Sequence, residues 1–462
     1  MMERYSTLED VKTSFLDISQ LLPDKQVSLS ALIRRKILFP RGFSSNFFTI
    51  AKLFDCSPLA VKRKSYLHIV LKYFIHDLKL LTSVFGIKTS GNFLKDSRFP
   101  LELRKSVHST VGGYLRTVTY NPTRHWLLMA RTILSFVNSE RLILRILRSA
   151  NFCQVVVGNG RLVNSAGAVL AARNLGVSTL IVERGARPGM LDTYTFSAHS
   201  KIERRGQMMK LWNSLDLSSR IQCAEEYLEI RRIMDPISGI HWQRNMNPGS
   251  APRFSKPNTF CFFTTTELEF AVFGDPIESG TFETQIEAVI AVAQSLNPDE
   301  WEIIVRRHPY SGKTPGVDPE AEIWKRLANF NHVTIISPDS EVDSYALGNA
   351  ASVVAHFDSS IGPELIYLNR APVITMGPTF WEKEDSPYLI RRKSQLSSEF
   401  LKSVPLRPIS DVYPWALYMA KFGEPFRVVN WNEGKAFLGD HRLLSRGFRR
   451  YYRGELQTIV DK

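Results

Sequence analysis

From residue 259 onward the chain alternates short apolar segments with helical ones, and this alternation limits the fold more than any other feature. The apolar segments are rich in β-branched and aromatic residues, which is typical of buried strands. The predicted strands are 259–265, 301–307, 332–336, 352–357 and 372–376, and the predicted helices are 282–296, 319–330, 342–350 and 363–368. This order predicts a doubly wound α/β domain, with a parallel sheet covered by helices on both faces.

A shorter unit of the same kind precedes it. Its elements are a strand at 154–157, a turn at 158–161, an alanine-rich helix at 165–175 and a strand at 178–182. This order predicts a βαβ unit and a second Rossmann-like domain. Gly158 and Gly160 are candidate ligand-binding residues, because glycine lets the backbone approach a ligand closely. A full dinucleotide fingerprint is absent, since Val163 stands where the third glycine belongs.

The clearest linker is the segment 235–258, which contains four prolines and two glycines. The predicted organisation is a helical, basic N-terminal region at 1–150 that could belong to the acceptor domain, an acceptor-side domain at 151–245, a linker at 246–258, a donor domain at 259–410 and a basic helical tail at 411–462. Two such domains place a cleft between the carboxyl ends of their sheets, where α/β folds bind ligands.

Basic residues exceed acidic ones in the chain. It has 59 Lys and Arg against 45 Asp and Glu, a formal net charge of +14. An excess of this size predicts an anionic partner, but it does not distinguish nucleic acid from anionic lipid or from phosphorylated small molecules and glycans. In the tail, five arginines alternate with three aromatic residues, which fits either packing or contact with an anionic membrane: Arg442, Arg446, Arg449, Arg450, Arg453, Phe448, Tyr451 and Tyr452.

Cysteine usage and hydropathy favour a cytoplasmic protein. The four cysteines are scattered without a paired framework, and residues 1–20 lack the apolar stretch of a signal peptide. The most apolar segment, 67–87, is interrupted by charged residues and has the spacing of an amphipathic helix. We expect this helix to pack on a core, and peripheral attachment to the inner face of a membrane remains the alternative.

Two other site types are disfavoured. The segment 311–314 (Ser-Gly-Lys-Thr) resembles part of a phosphate-binding loop, but Arg307 stands at the position of the first glycine and Pro315-Gly316 prevents the following helix. His, Cys and acidic residues show no metal-ligand spacing, so no metal and no cofactor are predicted.

The strongest site pattern lies where two strands of the second domain end. The predicted strand 301–307 leads into His308-Pro309, and the strand 352–357 leads into Asp358-Ser359-Ser360. We expect Pro363 to open the next helix, so that the serine hydroxyls and free amide groups bind an anion. Glu364, in the first turn, could accept hydrogen bonds from a ribose diol. Taken singly, Ser360 could be an N-cap, His308 a strand-end residue and Glu364 a counter-charge to the helix dipole.

Together these residues resemble a known group. His308-Pro309 and Ser359-Ser360, in this α/β setting, resemble the His-Pro and Ser-Ser motifs of bacterial sialyltransferases and of the capsule polysaccharide biosynthesis (Kdo transferase-like) proteins. The segment 342–377 is similar to the donor half of GT-B glycosyltransferases. The resemblance spans about residues 154 to 380 and leaves the N-terminal region and the tail unexplained.

The resemblance implies roles for individual residues on two neighbouring strand ends. His308, with Arg307 and Pro309, would contact the donor phosphate, Ser359, Ser360 and Gly362 would bind phosphate, and Glu364 would bind ribose. The general base of such enzymes comes from an acidic motif in the first domain, and the nearest match is Glu183-Arg184-Gly185, with arginine at an ordinarily acidic position. Asp192 and His199, in the predicted loop 185–200, are further candidates.

The implied activity is metal-independent, inverting transfer of a sugar from a nucleotide-sugar donor to a glycan or glycolipid acceptor of a surface or capsular polysaccharide. A CMP-sugar such as sialic acid or Kdo is the favoured donor. A glycerophosphotransferase and a sugar-nucleotide epimerase are alternatives within the same fold class. A non-catalytic basic protein that binds nucleic acid or membrane is the alternative outside it, although no RNA-binding module is visible and no nucleic acid is expected.

Overall fold

The computed structural model describes residues 14–15, 57–58, 73, 75–115, 117, 119–149, 151–185, 190–196, 200–232, 247–265, 281–282, 284–309, 321–425, 429–432, 435–438 and 441–442. The chain divides into two compact units. The first is drawn from 1–114, 118–198 and 423–462, and the second from 115–117 and 199–422. The division at residue 198 differs from the predicted linker at 246–258.

The strands are β1 Ser14–Phe15, β2 Ser57–Pro58, β3 Gln154–Gly158, β4 Ser178–Arg184, β5 Met190–Tyr194, β6 Asn258–Phe263, β7 Trp301–Arg306, β8 Val333–Ile336, β9 Val353–His356, β10 Val373–Thr375, β11 Glu424–Pro425, β12 Val429–Asn432, β13 Lys435–Leu438 and β14 His441–Arg442. The helices are α1 Ser90–Lys95, α2 Leu101–Leu115, α3 Trp126–Leu147, α4 Val163–Asn174, α5 Lys201–Ser214, α6 Leu217–Arg232, α7 Gln285–Ser295, α8 Ala321–Trp324, α9 Ser344–Ala350, α10 Ile361–Leu368, α11 Ser398–Ser403 and α12 Tyr413–Lys421. Residues 75–82 are also helical.

The sheet of the first unit is mixed. Its strand order is β11-β5-β4-β3, in which β3 and β4 are parallel, as the βαβ pattern predicts, while β5 and β11 are antiparallel to their neighbours. The predicted loop 185–200 was wrong for Met190–Tyr194, which forms β5. This strand has no apolar run, because one of its two buried side chains is Asp192 and the other is Tyr194.

Helices α3 and α4 of the first unit approach each other closely. A Cβ built on Gly167 of α4 would lie 2.6 Å from the backbone oxygen of Phe136 on α3. Ala171 and Ala172 are fully buried, and they share a core with Ile181 of β4. The small residues of the alanine-rich segment therefore let α4 fit between α3 and the sheet.

The second unit is a doubly wound α/β domain, as predicted. All five of its strands are parallel, and their order is β10-β9-β6-β7-β8. Successive residues of the central strand β6 face opposite cores: Phe260 and Phe262 pack with α7, and Cys261 and Phe263 pack with α10 and α12. The apolar run of β6 is therefore buried on both sides.

Helices α5 and α6 belong to the second unit. Met208 of α5 and Leu228 of α6 are buried in the same core as Val354 of β9 and Trp415 of α12. Their apolar positions follow helical spacing, which shows that a helix has a buried face but does not show which sheet it covers. The predicted organisation places these residues in the acceptor-side domain at 151–245.

Two further elements differ from the sequence prediction. Helix α10 begins at Ile361, two residues before Pro363, so the proline lies inside the first turn, where its missing N–H leaves no intrahelical bond unmade. The predicted helix 319–330 is a single α turn, α8, followed by the 3₁₀ segment Lys325–Asn329.

Among the described residues of the tail 411–462, the one α-helix is α12. It is preceded by the 3₁₀ turn Ile409–Asp411. Beyond α12, β11 joins the sheet of the first unit, and β12, β13 and β14 form an antiparallel sheet. Arg442 lies in β14, whereas Arg446, Arg449, Arg450 and Arg453 lie outside the described residues. Within the described part of the chain, every helix is too short or too polar to cross a bilayer.

The packing of Gly362 against His356 gives a test of this fold. A Cβ on Gly362 would lie 2.5 Å from the imidazole of His356, a fully buried side chain. We expect Gly362→Ala to lower the free energy of unfolding by about 1–3 kcal/mol, because the core has no room for a methyl group. Gly206→Ala is the matched control, since Gly206 is also helical but its added methyl group meets nothing within 4 Å. Urea denaturation measures both, and equal stability of the two variants would contradict the packing.

Candidate functional site

The strand order of the second sheet defines where a ligand crevice lies. The chain runs from β6 outward through β7 and β8, and then returns to the other side of β6 for β9 and β10. The order reverses between β6 and β9, and doubly wound sheets bind ligands at the carboxyl ends of the strands at such a reversal. Here Thr264 follows β6 and Asp358 follows β9 by two residues. The predicted Ser-Ser turn therefore lies at the expected crevice.

His308 is fixed to the end of β6. Its backbone N–H donates to Thr264 Oγ1 at 2.8 Å, and the Thr264 N–H donates to the Arg306 oxygen at 3.1 Å. The prediction of two neighbouring strand ends was wrong, because β6 lies between β7 and β9. Two strand spacings separate these ends by about 10 Å.

The side chains of the two arginines before His308 are buried in the second unit. Arg306 is 2% exposed, and its guanidinium donates to the carbonyl oxygens of Ser337 and Ser340. Arg307 is 4% exposed, and its guanidinium lies 5.9 Å from the ring centre of Trp324. Both side chains therefore have packing roles, and phosphate binding by Arg307 stays a prediction. Pro309 follows His308 and is half-buried.

The turn after β9 has an unusual backbone. Asp358 has a φ of 136°, a region that non-glycine residues rarely adopt. Ser359 is buried and Ser360 is exposed. Ser360 is the N-cap residue of α10, but its hydroxyl accepts no capping hydrogen bond from the helix. The Ser360 side chain therefore does not cap the helix, and its hydroxyl remains available to a ligand.

A backbone hydrogen bond within the turn connects its remaining residues. The Gly362 N–H donates to the Ser359 oxygen at 3.1 Å. Gly362 is required for the close approach of α10 to His356, which gives it a packing role next to the predicted phosphate contact. The hydrogen-bonded turn fixes Ser359 and Ser360 relative to the end of β9.

Lys201 is a site residue that sequence reasoning missed. Its ammonium lies 3.1 Å from Asp358 Oδ2 and also donates to the Pro378 oxygen. Lys201 is 7% exposed. Burial raises the pKa of Asp358, and the Lys201 charge opposes this rise. No local pattern could reveal the contact, since Lys201 is the first residue of α5 and is far from Asp358 in the sequence.

Glu364 is engaged inside the second unit. Its carboxylate accepts hydrogen bonds from Arg231, with Nε at 2.7 Å, and from the Tyr345 hydroxyl at 2.7 Å. The residue is 4% exposed. Glu364 lies in the first turn of α10, where the alternative role of counter-charge to the helix dipole places it, and it also forms a specific buried ion pair. A ribose would have to compete with these two partners, and its binding by Glu364 stays a prediction.

A buried polar network lies beneath the turn. The side chain of Thr375 lies 3.2 Å from His356 Nε2 and donates to Glu382 Oε2 at 2.5 Å. Glu382 pairs with Arg407 through bonds of 2.7 and 2.8 Å. The His356 ring stacks on Trp381 at 5.6 Å. Burial lowers the pKa of His356 to about 4, so this imidazole is neutral near pH 7.

The acidic candidates of the first unit face each other. Glu183 of β4 pairs directly with Asp192 of the antiparallel β5, so their side chains share one face of the sheet. Glu183 accepts a hydrogen bond from Asn159 Nδ2, and Asp192 accepts one from the Tyr194 hydroxyl at 3.4 Å. The sequence predicted Glu183 and Asp192 separately, and the register of β4 and β5 brings them together. His199 lies outside the described residues.

The glycine turn at the end of β3 lies at the same sheet edge. The Asn159 N–H donates to the Val182 oxygen at 2.7 Å, beside Glu183. Gly160 has a φ of 70°, and a Cβ there would lie 2.8 Å from Ile181. The conformation and packing of the turn require this glycine. Gly158 has open space around its Cα, so ligand binding at Gly158 and Gly160 stays a prediction.

Comparison with known proteins gives fold-level similarity only. No protein-family model and no curated protein matches the chain. Similar solved structures include a KpsC β-Kdo 2,4 transferase from Thermosulfurimonas dismutans (17% identity, 57% of this chain and 78% of that chain, TM-score 0.37). Others are a UDP-GlcNAc 2-epimerase from Methanocaldococcus jannaschii in complex with UDP-GlcNAc and UDP (14%, 60% and 78%, 0.28) and HepE from Anabaena in complex with UDP-glucose (11%, 62% and 64%, 0.26).

The Arg231–Glu364 pair gives a test at this site. We expect Glu364→Gln to lower the free energy of unfolding by about 3–5 kcal/mol, because it leaves the guanidinium of Arg231 buried without a counter-charge. Glu384→Gln is the control, since its side chain is 90% exposed and its pair with Arg205 contributes about 1 kcal/mol or less. Chemical denaturation measures both. A Glu364→Gln protein of unchanged stability that loses nucleotide binding would instead support the ribose role.

The buried imidazole of His356 predicts acid sensitivity. Unfolded histidine has a pKa of about 6.5, against about 4 for His356 in the folded protein. Below pH 6.5 the unfolded chain binds a proton that the folded chain does not, so stability decreases as the pH falls from about 6.5 towards 4. We expect His356→Phe to flatten this part of the profile of unfolding free energy against pH. His76→Gln, at an exposed ring, should leave the slope unchanged, and an equal effect of both would reject the assignment.

Proposed function

We propose that the protein is a glycosyltransferase that binds a nucleotide-sugar donor at the carboxyl edge of the second sheet. The observation that carries the proposal is the coincidence of three features at one strand reversal. These are the Asp358–Ser360 turn with an unused N-cap hydroxyl, the His308 backbone tied to Thr264, and the start of an eight-residue helix, α10. Hydroxyls, an imidazole and backbone amides are donors suited to a phosphate.

In the proposed reaction these donors act on the leaving nucleotide. His308, Ser359 and Ser360 hold the phosphate that links the nucleotide to the sugar, and they stabilise its charge as the bond to the anomeric carbon breaks. Pro309, Arg307 and Gly362 shape and support this phosphate site. Protein donors can neutralise this phosphate charge themselves, which supports the proposed metal-independent, inverting displacement.

The first unit supplies the proposed general base. Glu183 and Asp192 lie side by side on β4 and β5, and one of them takes the proton from the acceptor hydroxyl as it attacks the sugar. Their juxtaposition supports this role because it puts two possible proton acceptors on one face of the sheet. Glu183 is the primary assignment, since it belongs to the motif that resembles the family base.

The proposed donor is a CMP-sugar such as sialic acid or Kdo, and the proposed acceptor is a surface or capsular polysaccharide. The His-Pro and Ser-Ser motifs support this choice of donor. A sugar-nucleotide epimerase differs in its products: it would change the sugar while the nucleotide stays attached, whereas a glycosyltransferase releases the nucleotide.

Donor binding tests the proposal. Thermal shift and calorimetry with CMP-, UDP- and GDP-sugars should identify one nucleotide class that binds. We expect His308→Ala and Ser359→Ala/Ser360→Ala each to weaken that binding about tenfold to a hundredfold, since a hydrogen bond to a charged group contributes about 1.5–3 kcal/mol. Ser403→Ala is the matched control: it is exposed on α11, and Ser398 of that helix contacts Trp301 at the start of β7, the opposite edge of the sheet.

The same assay distinguishes the proposed general base from the residues that bind the donor. Glu183→Gln or Asp192→Asn should leave donor affinity unchanged and abolish acceptor-dependent release of the nucleotide. Failure of all three donor classes to bind wild-type protein, or equal losses in Ser403→Ala, would reject a donor site at this edge.

A further inference from the structure

The N-terminal helical part of the first unit exposes an unusual share of large apolar side chains. Among the described residues, sixteen such side chains are exposed, and seven of them lie between residues 75 and 127: Ile75, Leu78, Phe85, Leu101, Tyr114, Trp126 and Leu127. Single exposed apolar residues are ordinary, but a concentration of them marks an interaction surface.

Phe85 and Trp126 form the centre of this surface. Their ring centres are 5.7 Å apart, and the side chains are 52% and 42% exposed. The turn that carries Phe85 is tied to the start of α3, because the Thr123 hydroxyl donates to the Ile87 oxygen at 3.0 Å. Leu127 follows Trp126 directly. Both rings are therefore exposed to solvent, and a hydrogen bond holds the backbone that carries them.

Two aliphatic residues of the preceding helix are also exposed. Ile75 and Leu78 are three residues apart on helix 75–82, so they share one face, and they are 71% and 50% exposed. The opposite face carries the buried Asp77, whose carboxylate pairs with Arg141 of α3 at 2.8 Å. We refer to Ile75, Leu78, Phe85, Trp126 and Leu127 as the apolar patch.

Exposed basic residues lie close to the members of the apolar patch in the sequence. Lys79, Lys88 and Arg124 are exposed, and none of them forms an ion pair with a carboxylate of the described residues. Between residues 75 and 149 the sequence has twelve Lys and Arg against four Asp and Glu, a net charge of +8. More than half of the net charge of the chain therefore lies in this segment.

We propose that the apolar patch docks on an anionic lipid bilayer, with its side chains in the interface and the exposed basic residues on the headgroups. Phe and Trp partition into the bilayer interface, and each basic residue near an anionic surface adds to the attraction. Nucleic acid fits the charge, but it offers Ile75, Leu78 and Leu127 no apolar environment. The proposal is independent of donor binding, since neither the patch nor its test involves the second sheet.

Vesicle co-sedimentation of the full chain tests the proposal. We expect binding to vesicles of phosphatidylcholine with phosphatidylglycerol, much weaker binding to phosphatidylcholine alone, and a decrease with added salt. Phe85→Ser/Trp126→Ser should weaken binding about tenfold or more, because two aromatic side chains no longer leave water. Ile202→Ser/Leu217→Ser is the matched control, since these side chains are 60% and 58% exposed in the second unit.

A second measurement does not depend on the stability of the double variant. Brominated lipids should quench part of the tryptophan fluorescence of the wild-type protein, and Trp126→Phe should keep vesicle binding but lose that part of the quenching. Absence of vesicle binding, equal loss in the control variant, or quenching unchanged by Trp126→Phe would each overturn the proposal. Binding to a single-stranded RNA that the Phe85→Ser/Trp126→Ser variant also loses would reassign the patch to nucleic acid.

Discussion

The buried ion pair between Lys201 and Asp358 ties helix α5 to the carboxyl end of β9. Asp358 has a backbone conformation that costs about 1–3 kcal/mol in a non-glycine residue, so it persists only where its surroundings hold it. Lys201 provides that hold, through the carboxylate and through the Pro378 oxygen beyond β10. Because Ser359 and Ser360 follow Asp358 directly, the positions of their hydroxyls depend on this contact.

The layers under this turn explain why it can be rigid. Strands β6 and β9 are covered on both faces, and the last residue of β9, His356, is hydrogen-bonded to Thr375 and stacked on Trp381. The Glu382–Arg407 pair completes the network with each side chain 2% exposed. Buried hydrogen bonds in a low-dielectric interior resist rearrangement, because breaking one of them leaves a buried group unpaired. The turn is therefore supported from below as well as from the side.

The second sheet could be predicted from the sequence because its strands are rich in apolar residues and turn signals follow them. The same reasoning located the turns at Gly158, His308 and Asp358. It failed at β5, where Asp192 interrupts the apolar pattern. It also could not show which sheet α5 and α6 cover, because a buried helix face does not identify its partner. The contact between Lys201 and Asp358 could not be predicted, since pairing between distant residues leaves no local pattern. In each of these cases tertiary contacts determine the structure, and the local sequence pattern does not show them.

The positive charge of the chain serves two different purposes. In the second unit, three buried cations are matched by carboxylates: Arg231 by Glu364, Arg407 by Glu382 and Lys201 by Asp358. These pairs add no net charge at the strand reversal, so an anion there must be recognised by the geometry of hydroxyl, imidazole and amide donors. In residues 75–149 the exposed Lys79, Lys88 and Arg124 form no ion pair with a described carboxylate, and the field of such charges extends about 10 Å into solution at 0.1 M salt. The net charge of +14 is therefore an argument for an extended anionic surface rather than for the nucleotide site.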